Sequence, residues 1–136
     1  MREVEVSAFV PASPVTVERA LTPTAVVEYE GSFEVRDVTE RDGGTTVTAG
    51  ARGLTMRLDF EERDEGLCYR QRGEEGPFDA METEFTVAAE EGGSRVTASS
   101  RVSLGLPVSA VSDRVAAWKR RGELRRALDA LAEDME

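Results

Sequence analysis

Apolar residues alternate with polar ones near the N-terminus, the pattern of a strand with one buried face. The first alternating stretch, residues 4–10, therefore predicts a strand. Ser13 and Pro14 predict the start of a short helix that ends near Leu21, because serine is a good N-cap and proline suits the first helical position. The segment of residues 24–31 is short and apolar, and we interpret it as a second short helix.

Alternation with a period of two then continues from Gly31 to Leu104 and predicts six further strands. These strands cover residues 33–38, 45–52, 54–63, 67–72, 81–87 and 95–106. The connections are short and carry turn residues, as at Asp42-Gly43-Gly44, so successive strands should be antiparallel neighbours. The expected sheet has one apolar face and one polar face, and its apolar face needs a cover.

That cover is predicted at the C-terminus. From Pro107 to about Glu133 the chain has no further proline and ends in good helix formers. A helix of this length measures about 40 Å. We therefore expect a single α+β domain over residues 1–136. A curved seven-stranded antiparallel sheet would wrap around the long C-terminal helix, with two short helices after the first strand.

The composition narrows the possible classes of chemistry. Histidine is absent, which removes the usual catalytic base and the commonest transition-metal ligand. Cys68 is the only cysteine, so we expect no internal disulfide and no multi-thiolate metal site. No cofactor is expected either. No apolar run approaches the roughly 20 residues of a membrane helix, and the N-terminus lacks the plan of a signal peptide. A cytoplasmic protein without membrane insertion is expected.

The charge is strongly one-sided, with 27 acidic residues against 17 basic ones and a formal net charge of −10. Such a surface keeps a protein soluble and monomeric. Counter-ions screen its self-repulsion, so it suits the salt-rich cytoplasm of a halophile. An ordinary acidic protein from a GC-rich genome is the alternative. Either interpretation argues against nucleic acid as a partner.

The order of elements resembles the helix-grip fold of the START-like or SRPBCC superfamily. That group includes polyketide cyclase/dehydrase-like and coenzyme-Q-binding proteins. The likeness rests on VEVSAFVPASPVTVERAL near the N-terminus and on PVSAVSDRVAAWKRRGELRRALDALAEDME at the C-terminus. It covers essentially the whole chain and includes no catalytic signature. The resemblance implies an apolar cavity between the sheet and the long helix.

The expected partner is a small hydrophobic molecule, such as a lipid, an isoprenoid or a polyketide-like compound. The predicted sheet wall of its site consists of Leu58, Phe60, Tyr69, Met81, Phe85 and Ala98. The predicted helix wall consists of Val111, Val115 and Trp118, with Arg114 at the mouth. Arg114 or Arg121 would meet a carbonyl or anionic group of the ligand there, or alternatively pair with the protein's own carboxylates.

Two further expectations concern polar residues of the interior and of the helix. Four polar side chains should point inward, namely Tyr69, Gln71, Thr83 and Ser100. Each needs a hydrogen-bond partner, which a ligand, the backbone or water could supply. On a helical wheel the C-terminal segment shows two apolar lines: Val111, Val115, Trp118 and Gly122 form one, and Ala110, Ala117, Leu124, Leu128 and Leu131 form the other. Arg120 lies away from both lines and is predicted to be solvated. Gly122 is predicted to mark a bend or a close approach of the sheet backbone.

Three classes of function stay open at this stage. Binding of a hydrophobic ligand is favoured, because no carboxylate is predicted to point inward. A polyketide cyclase/dehydrase-type enzyme would need acid–base groups in a dry site, and an inward carboxylate bonded to Tyr69 would favour it. The third class is a stress-response or chaperone-associated interaction domain that docks through the basic part of the helix.

Overall fold

The structure is a computed structural model that describes the backbone of residues 2–72, 80–103 and 109–136. It describes the side chains of the same residues except 109–113. The predicted turn at 74–77, the predicted strand end at 104–106 and the predicted helix start at Pro107 lie outside the described residues, as does the side chain of Val111.

The described elements follow the predicted order. Strand β1 (Arg2–Val10) precedes two short helices, α1 (Pro14–Ala20) and α2 (Pro23–Glu30). The next strands are β2 (Glu34–Arg41), β3 (Gly44–Ala51), β4 (Leu54–Arg63), β5 (Gly66–Gln71), β6 (Ala80–Glu90) and β7 (Gly93–Ser103). Helix α3 (Ser109–Asp134) completes the fold. The interpretation of residues 24–31 as a short helix is confirmed by α2.

The seven strands form one antiparallel sheet in the order β1-β7-β6-β5-β4-β3-β2. Chain neighbours pair throughout β2 to β7, and β1 joins the far edge beside β7. Helix α3 packs on β1 and β7, while α2 contacts α3, β2 and β3. The curved sheet therefore holds α3 against one of its faces, and the predicted α+β helix-grip arrangement is confirmed.

The two short helices are delimited by local capping groups. Ser13 accepts a hydrogen bond from the backbone N–H of Thr16, and Thr22 accepts one from that of Ala25. A proline follows each cap, where the missing N–H costs no helical bond. Helix α2 ends at Gly31, whose φ of 77° is the left-handed conformation that glycine adopts readily. This C-cap makes Glu30 the last residue of α2.

The apolar core lies between the sheet and the helices. On β4, Met56, Leu58 and Phe60 are buried as the alternation predicts, whereas Leu54 lies at the start of the strand and is half-exposed. Helix α3 contributes Leu124 and two further leucines to the same core. The buried stripe of α3 in the described part consists of Ala116, Ala117, Arg120, Glu123, Leu124, Ala127, Leu128 and Leu131.

Replacement of Gly122 by alanine should stabilise the protein by about 0.5–1 kcal/mol, the difference in helix propensity between the two residues. Gly122 lies in the middle of α3, and a Cβ atom added there would meet no heavy atom within 4 Å. The predicted close approach of the sheet backbone is therefore wrong. Urea denaturation measures the change, and a destabilised Gly122→Ala variant would show that the glycine has a structural role.

Candidate functional site

Three polar side chains form a row across the inward face of the sheet. Tyr69 on β5 pairs with Thr83 on β6, and Thr83 pairs with Ser100 on β7. Register partners on neighbouring strands point to the same face, so the three side chains lie side by side. All three are buried, and so is Gln71. The prediction that these four residues point inward is confirmed.

Arg120 of α3 lies over this row. Arg120 is 2% exposed, and its Nε donates to Ser100 Oγ at 3.2 Å. Its Nη2 donates to Thr83 Oγ1 at 2.8 Å and also to the hydroxyl of Tyr69. The guanidinium carbon lies 5.7 Å from the centre of the Tyr69 ring. One buried cation therefore contacts side chains from three strands.

Two buried carboxylates surround the same guanidinium. Glu30 accepts hydrogen bonds from both terminal nitrogens of Arg120 and from the hydroxyl of Tyr69. Glu123, one turn further along α3, accepts from Nη1 of Arg120 at 3.0 Å. Together these side chains form one buried polar cluster, which consists of Glu30, Tyr69, Thr83, Ser100, Arg120 and Glu123.

The hydroxyl groups and a neighbouring arginine complete the hydrogen bonding around the cluster. The oxygens of Thr83 and Ser100 are 2.9 Å apart, and Ser100 also donates to the backbone carbonyl of Glu82. Arg126 donates to the backbone carbonyl of Glu30 at 2.6 Å and so fixes the end of α2. The cluster thereby joins α2, α3 and three strands of the sheet.

Burial and the charges of the cluster together shift the pKa values of two members. Burial alone would lower the pKa of Arg120, but Glu30, Tyr69 and Glu123 raise it well above its ordinary value. Burial raises the pKa of Tyr69 well above 10, because the opposing effect of Arg120 is offset by Glu30. At neutral pH the guanidinium is therefore charged and the phenol is neutral. Tyr69 accepts a hydrogen bond from Arg120 and donates one to Glu30.

Neither tyrosine of the folded chain should ionise near pH 10. Tyr29 donates to Asp134 at 2.6 Å, and burial together with this carboxylate raises its pKa to about 12. The folded state holds both tyrosine protons more tightly than the unfolded chain, whose tyrosines titrate at about pH 10. Stability is thus fully present below that pH and falls as the pH rises above it, with Tyr29 losing its contribution by about 12.

Tyrosinate absorbance and urea denaturation between about pH 9 and pH 12 test this titration. The Tyr69→Phe variant should lose stability less steeply with rising pH than the parent chain. A folded protein in which both tyrosines ionise with a pKa near 10 would contradict the buried position of Tyr69.

The residues predicted as the sheet wall all lie in the core. Each is 3% exposed or less: Leu58, Phe60, Tyr69, Met81, Phe85 and Ala98. Almost none of their surface is therefore open to solvent. The rings of Phe60 and Tyr69 lie in contact, with centroids 4.5 Å apart. Their role in ligand binding remains a prediction.

Of the predicted helix wall and its mouth, the residues whose side chains the structure describes lie on the outer side of α3. Val115 is 57% exposed, Trp118 is 78% exposed, and Arg114 is exposed as well. Trp118 precedes the buried Arg120 by two residues, which places it about 160° away around the helix. These three residues consequently do not line the space between the sheet and the helix.

The charged members of the cluster were not predicted from the sequence. The prediction that Arg120 is solvated is wrong, and so is the expectation that no carboxylate points inward. A signal existed on α3, because Arg120 and Glu123 share the helical spacing of Ala117, Leu124 and their buried neighbours. Glu30 likewise follows the buried Val26 and Val27 by four and three residues, but three positions in one short helix give a weaker signal than the long stripe of α3.

Other parts of the surface offer less chemistry. Among residues 2–72, 80–103 and 114–136, no three His, Cys, Asp or Glu side chains are grouped to hold a metal ion. No helix in the described part of the chain is long and apolar enough to cross a membrane. A groove of about 820 Å³ lies between α1 and the β2–β3 and β4–β5 hairpins, with Leu21, Phe60 and Leu67 among its lining residues.

The sequence was compared with models of known protein families and with curated proteins. The family described as polyketide cyclase / dehydrase and lipid transport matches residues 1–136. No sequence match is found among curated proteins.

Several solved structures share the fold. TTHA0849 from Thermus thermophilus is 24% identical, with a TM-score of 0.74 over 97% of this chain and 95% of that one. A START superfamily protein from Mycobacterium smegmatis is 14% identical, with a TM-score of 0.70 over 98% and 99%. The di-domain ARO/CYC BexL of the BE-7585A biosynthetic pathway is 16% identical, with a TM-score of 0.68 over 97% of this chain and 50% of that one.

Proposed function

Because the chain belongs to the polyketide cyclase/dehydrase and lipid transport family, we propose that it binds a small, largely apolar molecule between the sheet and α3. The buried polar cluster then provides the hydrogen bonds that orient this molecule. The observation that supports the proposal most is Arg120, a guanidinium that is 2% exposed at the interface between sheet and helix.

Stability alone is a weak reason for this cluster to exist. Taking charges out of water costs several kcal/mol per ion, and well-packed apolar residues of similar volume often stabilise a fold as well or better. Sites for small molecules, by contrast, are mostly apolar with a few placed polar groups. Arg120 and Tyr69 fit that description, because Phe60 lies against the Tyr69 ring and Met81 lies beside Thr83.

The formal charges of the cluster favour a neutral ligand oxygen. One cation, Arg120, faces two carboxylates, Glu30 and Glu123, so no surplus positive charge is left for an anion. A carbonyl or hydroxyl oxygen could replace the hydroxyl of Thr83 or Ser100 as an acceptor of Arg120. Those two hydroxyls are 2.9 Å apart and would keep each other as partners.

The proposal predicts a preference among three probes of the same ring size. The chain should bind 2-naphthol about five- to tenfold more tightly than naphthalene, which is the net worth of one hydrogen bond. It should bind 2-naphthoate more weakly than 2-naphthol. Fluorescence titration at neutral pH measures the three affinities.

Two matched variants test whether the buried polar cluster causes the preference for 2-naphthol over naphthalene. Tyr69→Phe should reduce the preference for the hydroxyl, because a donor and acceptor of the cluster is lost. Tyr29→Phe makes the same chemical change outside the cluster and should leave the preference intact. Equal affinity of the parent chain for 2-naphthol and naphthalene, or the same loss in both variants, would refute the proposed role of the cluster.

A second candidate function, cyclase/dehydrase-type catalysis, is favoured by the hydrogen bond between Tyr69 and Glu30. An inward carboxylate bonded to Tyr69 is the feature that favours an enzyme, and Glu30 provides it. A carboxylate at this position could accept a proton from a carbon next to a ligand carbonyl. Arg120 would then stabilise the negative charge that develops on the carbonyl oxygen.

Proton exchange separates catalysis from binding. If Glu30 acts as a base, the chain in deuterated water should accelerate exchange of the acidic C–H protons of 2-tetralone, measured by proton NMR. Glu30→Gln should abolish the acceleration, while Glu28→Gln, a change at an exposed position of the same helix, should preserve it. Exchange at the uncatalysed rate in the parent chain would leave binding as the function.

A further inference from the structure

The outer face of α3 between residues 114 and 126 is basic, although the chain as a whole carries a charge of −10. This outer face, called the basic face below, presents five exposed cations: Arg114, Lys119, Arg121, Arg125 and Arg126. The one carboxylate in the interval, Glu123, is buried on the opposite side. The basic face therefore carries no negative charge of its own over about three helical turns.

Four of these cations are available to a partner. Within the part of the chain that the structure describes, Arg114, Lys119, Arg121 and Arg125 form no ion pair, unlike Arg36, Arg63 and Arg95 of the sheet. Arg126 is engaged with the backbone of Glu30 and the hydroxyl of Ser32.

The only tryptophan of the chain, Trp118, lies among the cations of the basic face. Trp118 is 78% exposed, and its helical spacing places Arg114, Arg121 and Arg125 on the same side of α3, each within about 60° of it. Val115 adds a second exposed apolar side chain at 57%. An exposed apolar patch rimmed by charged residues is typical of an interaction surface.

We propose that the basic face docks the protein onto the surface of an anionic phospholipid membrane. Guanidinium groups bind phosphate oxygens in pairs of hydrogen bonds, and tryptophan prefers the headgroup region of a bilayer, where its ring is buried and its N–H stays wet. Clusters of basic residues near a membrane are attracted by anionic lipids. The docking is peripheral, since α3 is held in the fold by its buried stripe.

Other partners fit the basic face less well. Two copies related by a twofold axis would bring like charges together across the interface. A protein partner needs a shaped surface of about 800 Å² on each side, whereas this face is one convex helix with two apolar side chains and Gly122 between its cations. A layer of mobile headgroups can adapt to that shape.

Vesicle binding tests the proposal, and Trp118 is a built-in probe because the chain has no other tryptophan. The parent chain should co-sediment with vesicles of phosphatidylcholine mixed with phosphatidylglycerol, and its tryptophan emission should shift to shorter wavelength. Pure phosphatidylcholine should give neither effect. Salt at about 1 M should release the protein, because screening then acts over about 3 Å.

Matched charge reversals identify the surface responsible. Arg121→Glu combined with Arg125→Glu should weaken vesicle binding by about tenfold or more. Trp118→Ser should also weaken co-sedimentation. Arg36→Glu combined with Arg52→Glu changes the net charge equally at exposed positions of β2 and of the β3–β4 turn, and this variant should bind within about twofold of the parent chain. All positions are exposed, so each variant should keep the far-ultraviolet spectrum of the parent.

Three results would overturn the inference. One is the absence of vesicle binding at low salt, and another is equal weakening by the two pairs of reversals. The third is binding of a poly-glutamate peptide, with loss on the Arg121 and Arg125 reversals, in a protein that ignores the vesicles. That outcome would assign the basic face to an acidic polypeptide. None of these results bears on the interior ligand, so the proposed function is tested separately.

Discussion

Replacement of Arg120 by methionine should lower the free energy of unfolding by about 3–5 kcal/mol, the cost of leaving buried charges without their partner. Glu30 and Glu123 would then face each other across the space that the guanidinium fills. A loss of this size is a large part of the roughly 5–15 kcal/mol that stabilises an ordinary domain. Urea denaturation of the parent and variant chains measures it.

Two further variants make the interpretation specific. Arg121→Met, the same change at the next residue, should alter stability by no more than about 0.5 kcal/mol, because Arg121 is exposed. Combining Arg120→Met with Glu30→Leu and Glu123→Leu should recover most of the loss, since no unpaired charge remains. If Arg120→Met cost no more than Arg121→Met, the guanidinium would not lie between the two carboxylates.

The second large effect is expected in the C-terminal half of α3. Leu124 is fully buried in the core, and Leu124→Ala should lower the free energy of unfolding by about 2–5 kcal/mol through lost burial and a residual cavity. Thermal and urea denaturation report the loss, and the variant should keep its helical circular dichroism below the transition.

Trp118→Ala is the matched truncation on the outer side of the same helix. Although tryptophan is the larger side chain, its removal should change stability by only about 0.5 kcal/mol, because the ring is 78% exposed. A larger loss for Trp118→Ala than for Leu124→Ala would reverse the assignment of the two faces of α3.

The strands were predictable because their environment is repetitive. On β4 the side chains of Met56, Leu58 and Phe60 face the core while Arg57 and Asp59 face outward, so each residue type reports its own side of the sheet. Tight turns at Asp42-Gly43-Gly44 and at similar positions then dictated antiparallel order. The resemblance to the SRPBCC superfamily rested on this order and is confirmed by the match over residues 1–136.

The buried face of α3 was harder to predict, because it contains charged residues while a large apolar residue lies on the exposed face. Two apolar lines run along the helix. The line that contains Trp118 looks like the buried one, because tryptophan is larger than any side chain of the other line. The buried face instead contains Arg120, whose charge is compensated by Glu30 from another element and Glu123 from its own. A hydrophobic pattern cannot reveal that compensation, since the partner lies 90 residues away in the chain.

Glu30 illustrates the same limit for the candidate site. Its sequence neighbours place it at the end of a short helix, next to a glycine, where a glutamate is usually solvated. Its burial follows from the packing of α2 against α3 and from the hydrogen bonds of Arg126 to its backbone and of Tyr69 to its carboxylate. The acid–base partner of Tyr69 could therefore be found only in three dimensions.

The most direct test of the proposed site is a crystal structure of the chain with 6-bromo-2-naphthol, whose bromine gives an anomalous signal. We expect the bromine between the sheet and α3 and the hydroxyl within hydrogen-bonding distance of Arg120 or Tyr69. Bromine found instead in the groove between α1 and the β2–β3 hairpin, with the cluster bonded only to itself, would contradict the proposal.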